Sequence, residues 1–145
     1  MIDRPARDVA AKLLEDFISG SISNYKYNQS FPTSKIDSAL WPIYVNVWFC
    51  YSDVGEYTLT GKRALSPEQR ALCERSILFL RSNLEFQWPP PEFRLRYGLM
   101  RLLGFGRVLK QRESKEMSIG DLEVWPFLKR SEYEELSSQR SADCA

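Results

Sequence analysis

The chain has 145 residues, of which 43 % are hydrophobic and 27 % are charged, and its formal net charge at pH 7 is +1. This length is typical of one domain, and the apolar content with so small a net charge excludes a disordered chain. The sequence contains no histidine, which excludes Ser-His and Cys-His catalytic pairs and zinc sites that use histidine. We therefore expect a single globular domain over residues 1–145 that is not an enzyme and has neither a cofactor nor a metal site.

The first predicted element is a helix from Asp3 to Ser19. Asp3 suits the N-cap, Pro5 suits the first turn, and Gly20 suits the end of a helix. Four apolar residues recur at helical spacing along one face: Val9, Ala10, Leu13 and Phe17. The stretch that follows, "SISNYKYNQSFPTS", is polar and aperiodic, which predicts a loop. Three aromatic residues are expected to anchor that loop: Tyr25, Tyr27 and Phe31.

A second helix is predicted to begin at Ser34 or Asp37 and to end at Tyr51. Its segment "YVNVWFCY" is apolar nearly all round, which predicts the most buried helix of the fold. Pro42 either kinks this helix or marks its true start, because proline is well tolerated only in the first turn.

The clearest helix start in the chain is Ser66-Pro67-Glu68-Gln69. Ser66 is a good N-cap, the proline takes the first helical position, and Gln69 completes a capping box. This helix should run to about Asn83, and a further helix should span about 91–103.

The C-terminal part of the chain has weaker patterns. Residues 107–125 predict a small hairpin or a broken helix, and Ser131 with Glu134 predicts a capping box that opens a short acidic helix ending near Leu136. Residues 137–145 are expected to form a frayed tail. The predicted fold is therefore mainly α, a single compact bundle of four to five helices, with a small hairpin near residues 107–125 as an open alternative.

Three of the four tryptophans stand directly before a proline: Trp41, Trp88 and Trp125. Proline moves the residue before it out of helical geometry, so a Trp-Pro pair suits a joint between two packed elements. We predict that Trp88 is mostly buried, with its indole N–H bonded to a backbone carbonyl or water, while Pro90 and Glu92 face water. The triple proline after Trp88 is accordingly interpreted as a structural joint and not as a polyproline ligand.

The three cysteines, Cys50, Cys73 and Cys144, are odd in number and widely spaced. Cys50 and Cys73 lie in apolar helical patterns, which favours buried thiols in a reducing compartment. No apolar run approaches the roughly 20 residues that a membrane span requires, and the N-terminal segment lacks the pattern of a secretory signal. The expected location is therefore the cytoplasm, without membrane association.

Charge is unevenly distributed near the C-terminus. Residues 91–116 hold seven basic and three acidic residues, whereas residues 117–145 hold six acidic and three basic ones. A basic strip can contact phosphates, but domains that bind nucleic acid usually have a clearly basic net charge. The basic strip is therefore interpreted as a solvated surface, or as one paired with the acidic C-terminal helix, and a surface that contacts a protein is the alternative. The expected partner of the domain is a protein, and nucleic acid is not expected.

Three stretches carry a resemblance to a known class of protein: "IDSALWPIYVNVWFCYSD", "LTGKRALSPEQRALCERSILFLRSNLEFQWP" and "EVWPFLKRSEYEE". In their order they resemble small, helical, histidine-poor bacterial immunity proteins, the cytoplasmic antidotes of interbacterial toxins. The resemblance implies a protein that binds and blocks one cognate toxin. Many antidotes of nuclease toxins are strongly acidic, whereas this chain is nearly neutral, which argues against a strongly basic nuclease as the target.

Exposed aromatic and charged side chains on loops and helix ends are the predicted partner contacts, because tyrosine, tryptophan and arginine dominate interface energetics. These candidates are Tyr51, Asp53, Glu56, Tyr57, Arg94 and Arg96. The alternative interpretation is a small bacterial enzyme or ligand-binding protein with a pocket between its helices. Polar groups in such a pocket would come from Glu85, Arg94 and Tyr97.

Overall fold

The computed structural model describes residues 1–88 and 119–143 of the chain. Within these ranges the chain forms five α-helices and two short 3-10 helices and contains no β-strand, so the predicted mainly α bundle is confirmed. The α-helices are α1 (Arg4–Ile18), α2 (Asn24–Ser30), α3 (Leu40–Trp48), α4 (Pro67–Arg81) and α5 (Arg130–Asp143), and the 3-10 helices are Gly61–Arg63 and Leu122–Val124. None of these helices combines the length and the apolar character that crossing a bilayer requires. The helix predicted over residues 91–103, and the positions of Pro90 and Glu92, lie outside the described residues.

Helix α1 begins and ends within one residue of its prediction. The Asp3 carboxylate accepts a hydrogen bond from the Ala6 N–H at 3.2 Å, which satisfies one of the free amides at the helix start. At the other end Gly20 has a φ of +77°, and its N–H donates to the Phe17 carbonyl at 3.0 Å. A left-handed glycine in this position closes a helix. Val9 departs from the predicted apolar face, because it is 53 % exposed.

Helix α2 lies where the sequence predicts a loop, so that prediction is wrong for residues 24–30. The Ser23 hydroxyl caps this helix by accepting a hydrogen bond from the Lys26 N–H at 3.2 Å. Tyr27 is fully buried and stacks on Phe17, with ring centroids 4.6 Å apart. A helix of seven residues is too short to show an apolar periodicity in the sequence. We attribute its formation to the Ser23 cap and to the burial of Tyr27.

Helix α3 begins at Leu40, so Pro42 lies in its first turn, where proline is tolerated, and marks the true start of the helix. One side of the helix is apolar and buried in the core, and it consists of Leu40, Ile43 and Val47. By contrast, Trp41 is 57 % exposed and Phe49, at the C-cap, is 63 % exposed. Five of its nine residues are buried, a larger share than in any other described helix, so the prediction that this is the most buried helix is confirmed for the described residues, although its other side faces solvent.

Helix α4 has the predicted capping box. The Ser66 hydroxyl accepts the Gln69 N–H at 3.2 Å, and the Gln69 side chain accepts the Ser66 N–H at 2.9 Å. Helices α1 and α4 form the most extensive helix–helix contact of the described residues. The core around this contact draws side chains from most of the other elements, and its members include Leu14, Phe17, Ile43, Val47, Ile77, Leu80 and Phe127.

A buried ion pair joins α1 to the segment before α3. Arg7 donates from Nε to Asp37 Oδ2 at 2.6 Å and from Nη2 to Oδ1 at 3.0 Å, and both side chains are 1 % exposed. Arg7 Nη1 also donates to the Leu84 carbonyl at 2.8 Å, just beyond the end of α4. Asp37 accepts the N–H groups of Asp3 and Ala39 at 3.0 Å each. Each buried charge is therefore met by several hydrogen bonds, as burial in the interior demands.

The Asp37 carboxyl should make the stability of the domain depend on acid pH. Burial raises its pKa, but the hydrogen bonds from Arg7 and from two backbone N–H groups outweigh burial and hold the pKa below its ordinary value. Because the folded-state pKa is lowered, its contribution to the free energy of unfolding is present above about pH 4 and is lost as the pH falls further. In urea titrations at decreasing pH, the wild type should lose stability faster than Asp37→Asn below that pH. Parallel losses in the two proteins would contradict this expectation.

Trp88 meets the Trp125-Pro126 pair at one joint. Trp88 is 8 % exposed and Trp125 is 5 % exposed, which confirms the predicted burial of Trp88. The Trp88 indole N–H donates to the Pro126 carbonyl at 3.0 Å, as the prediction of a backbone acceptor requires. The Trp125-Pro126 pair thus supplies the hydrogen-bond acceptor for the Trp88 indole. The Trp41-Pro42 pair differs, because Trp41 is exposed in the first turn of α3.

Replacing Trp88 by phenylalanine should lower the free energy of unfolding by about 1–3 kcal/mol. The change keeps an aromatic ring at this site but removes the N–H that Pro126 and Phe127 accept at 3.0 and 3.3 Å. Urea unfolding followed by circular dichroism measures the difference. Gln87→Ala is the control, since Gln87 is exposed and its replacement should change stability by less than about 0.5 kcal/mol. Equal effects of the two substitutions would refute the structural role of the indole N–H.

The C-terminal segment departs from its prediction in two ways. The described part of the predicted hairpin, residues 119–125, contains a 3-10 helix and no strand. Helix α5 begins at Arg130, so Ser131, the predicted cap, lies inside it, and the helix continues to Asp143 instead of ending near Leu136. The first part of the predicted frayed tail is therefore helical. Helix α5 contacts α4, and this tertiary contact supports a helix longer than the one its polar sequence predicts.

Candidate functional site

Three large apolar side chains at α3 are exposed to solvent. Trp41 is 57 % exposed, Trp48 is 37 % exposed and Phe49 is 63 % exposed. Residues seven and eight positions apart lie on the same side of a helix, and Phe49 keeps helical backbone angles at the C-cap. We call these three residues the aromatic face. It lies on the opposite side of α3 from the buried core residues, so one helix serves both the core and the surface.

Ring contacts hold the aromatic face in place. Trp41 stacks on Tyr44 with ring centroids 5.7 Å apart, and Trp48 contacts Phe49 edge-on at 5.3 Å. Val45 lies four residues after Trp41, on the same side of the helix, and is only 9 % exposed. Exposed rings that are already ordered lose less conformational entropy when a partner binds.

A groove of about 400 Å³ opens beside Trp41, between the end of α2 and the start of α3. Its lining is mainly apolar, with a few polar side chains, and consists of Asn28, Phe31, Pro32, Thr33, Ser34, Leu40, Trp41 and Tyr44. Trp41 therefore belongs both to the aromatic face and to the wall of the groove. Glu85, which the sequence suggested as a polar group in a pocket between helices, is exposed and does not line this groove.

The predicted contact loop, residues 51–57, directly follows the aromatic face in the chain. The Tyr57 hydroxyl donates to the Ser52 carbonyl at 2.7 Å and accepts the Ser52 N–H at 2.8 Å. The Tyr51 hydroxyl donates to Asn28 Oδ1, and burial raises the pKa of Tyr51 well above its ordinary value, so it stays a protonated donor. Both tyrosines thus fix the shape of the loop, and their contact with a partner stays a prediction.

Two carboxylates of the same loop, Asp53 and Glu56, are exposed. Glu56 Oε1 accepts a hydrogen bond from the Ser23 hydroxyl at 2.5 Å, which ties the loop to the start of α2. The chain therefore presents negative charge in the segment that follows the aromatic face. The contact of these carboxylates with a partner stays a prediction, and Arg94 and Arg96 lie outside the described residues.

The sequence-based reasoning missed the aromatic face. The Trp-Pro pattern predicts a structural joint at Trp41, and the apolar segment "YVNVWFCY" predicts a buried helix. The signal that separates the two sides is the spacing of the core positions, because Leu40, Ile43 and Val47 follow one stripe of the helix. Trp41, Trp48 and Phe49 fall outside that stripe. One apolar side is enough to pack a helix against the core, so the second apolar side of α3 is available for another contact.

The described residues contain no cluster of side chains that could bind a metal ion. Within residues 1–88 and 119–143, no three or more Cys, Asp or Glu side chains are arranged to hold a metal ion. Of the two cysteines in these ranges, Cys73 is buried as predicted, whereas the prediction is wrong for Cys50, which is half-buried. Comparison of the chain with protein-family models, with curated proteins and with solved structures gives no match. The role of each residue at the aromatic face therefore has to follow from its own geometry and chemistry.

Proposed function

We propose that this protein is a protein-binding module that recognises its partner with the aromatic face and the groove beside it. The observation that carries the proposal is the exposure of Trp41, Trp48 and Phe49 on a helix whose opposite side is in the core. Exposed apolar patches often mark interaction sites on soluble proteins. Tryptophan is also among the residues that contribute most binding energy at protein interfaces.

The partner that we propose is the domain of an interbacterial toxin, and the protein is then an immunity protein that blocks one cognate toxin. The resemblance of residues 36–53 and 59–89 to immunity proteins supports this class. Blocking a toxin requires binding alone and needs no catalytic group, which fits a chain without histidine. Localisation in the cytoplasm is part of the same proposal.

The side chains of the aromatic face and the loop that follows it indicate which surface of the toxin domain would fit them. The toxin domain should offer apolar pockets for Trp41 and Phe49, and basic side chains opposite Asp53 and Glu56. The net charge of the chain is only +1, so long-range electrostatic steering contributes little to association. Short-range apolar contact therefore supplies most of the affinity in this proposal.

Protection of bacterial cells tests the proposed function. A toxin encoded next to this protein in its own genome is expressed with the wild type, with the double variant Trp41→Ala/Phe49→Ala, or with no antidote. We expect the wild type to restore growth and the double variant to fail although it accumulates to the same level. Val9→Ala, at an exposed apolar position on α1, should protect like the wild type. Failure of the wild type to protect, or full protection by the double variant, would reject the proposal.

The groove supports a second candidate function, the binding of a small apolar ligand. Its volume of about 400 Å³ lies within the range of ligand pockets. Trp41 lines the groove and Phe49 does not, so Trp41→Ala should weaken ligand binding while Phe49→Ala leaves it unchanged. A fluorescence titration with an apolar dye, 8-anilinonaphthalene-1-sulfonate, measures both effects. The absence of binding, or an equal loss in the two variants, would reject this candidate.

A further inference from the structure

The groove beside Trp41 has a wall of three aromatic rings that contact one another. Tyr44 lies in the middle of this wall, because its ring centroid is 5.7 Å from that of Trp41 and 5.1 Å from that of Phe31. All three residues line the groove. Tyr44 also stacks on the buried Tyr27 with centroids 6.3 Å apart, which ties the wall to the core. The wall is therefore a fixed apolar surface on which another ring can pack.

Asn28 lies in the same lining, and its side-chain amide has a fixed orientation. Its Oδ1 accepts hydrogen bonds from the hydroxyls of Tyr51 and Tyr44, the second at 3.4 Å. Because these two donors occupy the oxygen, the amide NH₂ group is turned away from them. No group within residues 1–88 and 119–143 accepts a hydrogen bond from this NH₂ group, and its nitrogen is not closed off from solvent. The groove therefore offers a directed N–H donor to an occupant.

The rest of the lining favours an occupant that is uncharged and accepts hydrogen bonds. None of the eight lining residues carries a charge, so a charged occupant would lose hydration without gaining a counterion. The indole N–H of Trp41 is a second donor, and no acceptor for it lies in the described part of the chain. The chemistry of the groove thus consists of aromatic rings and two open N–H donors.

We propose that the groove binds an extended, proline-rich segment of the partner protein. Proline has a compact apolar ring, and its backbone provides a carbonyl acceptor but no N–H donor. A run of prolines adopts the polyproline II conformation, which leaves these carbonyls without internal hydrogen bonds. The proline rings pack on Phe31, Tyr44 and Trp41, while the carbonyls accept from the Asn28 amide and the Trp41 indole. Aromatic-lined grooves recognise proline-rich segments in this way.

The inference rests on the proposed function, because it names the kind of segment that the partner places beside the aromatic face. Trp41 belongs to both surfaces, so one bound partner can contact them together. The two ideas can still fail separately, because a synthetic peptide replaces the toxin in the test of the groove. Proline binding without protection of cells rejects the proposed function alone, and protection without proline binding rejects this inference alone.

Titration of the ¹⁵N-labelled protein with acetylated decaproline amide, followed by NMR, tests the inference. We expect saturable shifts of the Asn28 side-chain NH₂ signals and of the Trp41 indole signal. A glycine–serine peptide of the same length is also uncharged but has no rings, and it should cause no such shifts. The absence of decaproline binding, or equal binding of the two peptides, would overturn the proposal. Binding of the dye 8-anilinonaphthalene-1-sulfonate without binding of decaproline would assign the groove to small ligands and would also overturn it.

Asn28→Asp tests the N–H donor by itself. The carboxylate can still accept from Tyr44 and Tyr51, but it cannot donate to a proline carbonyl, so the dissociation constant for decaproline should rise about tenfold. Trp41→Ala should raise it at least as much. Gln29→Ala, at an exposed position next to Asn28 that does not line the groove, should bind like the wild type. Equal affinity of Asn28→Asp and the wild type would overturn the proposal. If circular dichroism shows that Asn28→Asp is unfolded, the wild-type NMR shifts decide the question.

Discussion

Replacing Asp37 by alanine should lower the free energy of unfolding by about 3–5 kcal/mol, because it leaves the Arg7 guanidinium charged and unpaired in the interior. Both side chains of the pair are 1 % exposed, so water cannot take the place of the missing carboxylate. The substitution also removes the acceptor of the Ala39 N–H just before α3. Urea unfolding followed by circular dichroism measures the loss.

An exposed ion pair provides the matched control. Arg81 Nη2 lies 2.7 Å from Glu15 Oε1, and the two side chains are 50 % and 27 % exposed. Arg81→Ala should therefore lower the free energy of unfolding by less than about 1 kcal/mol. The double variant Arg7→Met/Asp37→Leu should cost less than the sum of its single changes, because it leaves no charge buried. Similar losses for the exposed and the buried pair, or additive losses in the double variant, would contradict the account of the buried pair.

Replacing Trp41 or Phe49 by alanine should weaken binding to the cognate toxin domain by about a hundredfold each, or about 2.7 kcal/mol. The reason is that each substitution removes a large ring that the partner would enclose in an apolar pocket. Isothermal titration calorimetry with the purified toxin domain measures the dissociation constants. The free proteins should lose no more than about 1.5 kcal/mol of unfolding free energy, because each substitution removes one ring contact, with Tyr44 or with Trp48.

The control for these variants is Val9→Ala, since Val9 is 53 % exposed on α1, away from the aromatic face in the chain. Its dissociation constant should match that of the wild type. Unchanged binding of the Trp41 and Phe49 variants would place the interface elsewhere. A loss with Val9→Ala as large as theirs would show that binding does not depend on the aromatic face.

Local signals in the sequence were sufficient for α1 and α4. Asp3 and Gly20 bound the first helix, and the Ser66 and Gln69 capping box starts the fourth, at the predicted positions. These devices act within a few residues, so their physics is contained in a short stretch of sequence. The same holds for the burial of Trp88, which proline geometry and indole chemistry predict together.

Features that depend on distant parts of the chain could not be predicted in the same way. Arg7 and Asp37 are 30 positions apart, and no local pattern links them. Helix α2 depends on the burial of Tyr27 against α1, so a polar stretch becomes helical through a tertiary contact. Both cases follow from packing that only the folded chain provides.

The Trp-Pro pairs also show that local sequence does not predict which side chains are buried and which are exposed at the candidate site. Trp88 is buried because Pro126 supplies a carbonyl for its indole N–H, whereas Trp41 in an identical dipeptide is exposed. Trp41 lies in the first turn of α3, but the surrounding structure, and not the dipeptide, decides where each ring lies. An exposed tryptophan at α3 therefore could not be distinguished from a buried one by its neighbours in sequence.

Hydroxyl-radical footprinting of the wild-type protein, alone and with its cognate toxin domain, tests the proposed interface most directly. We expect the oxidation of Trp41, Trp48 and Phe49 to fall strongly in the complex. Met1, which is 79 % exposed, should react equally in both samples. If these three aromatic residues remain as reactive in the complex as in the free protein while another surface becomes protected, the aromatic face is not the binding site.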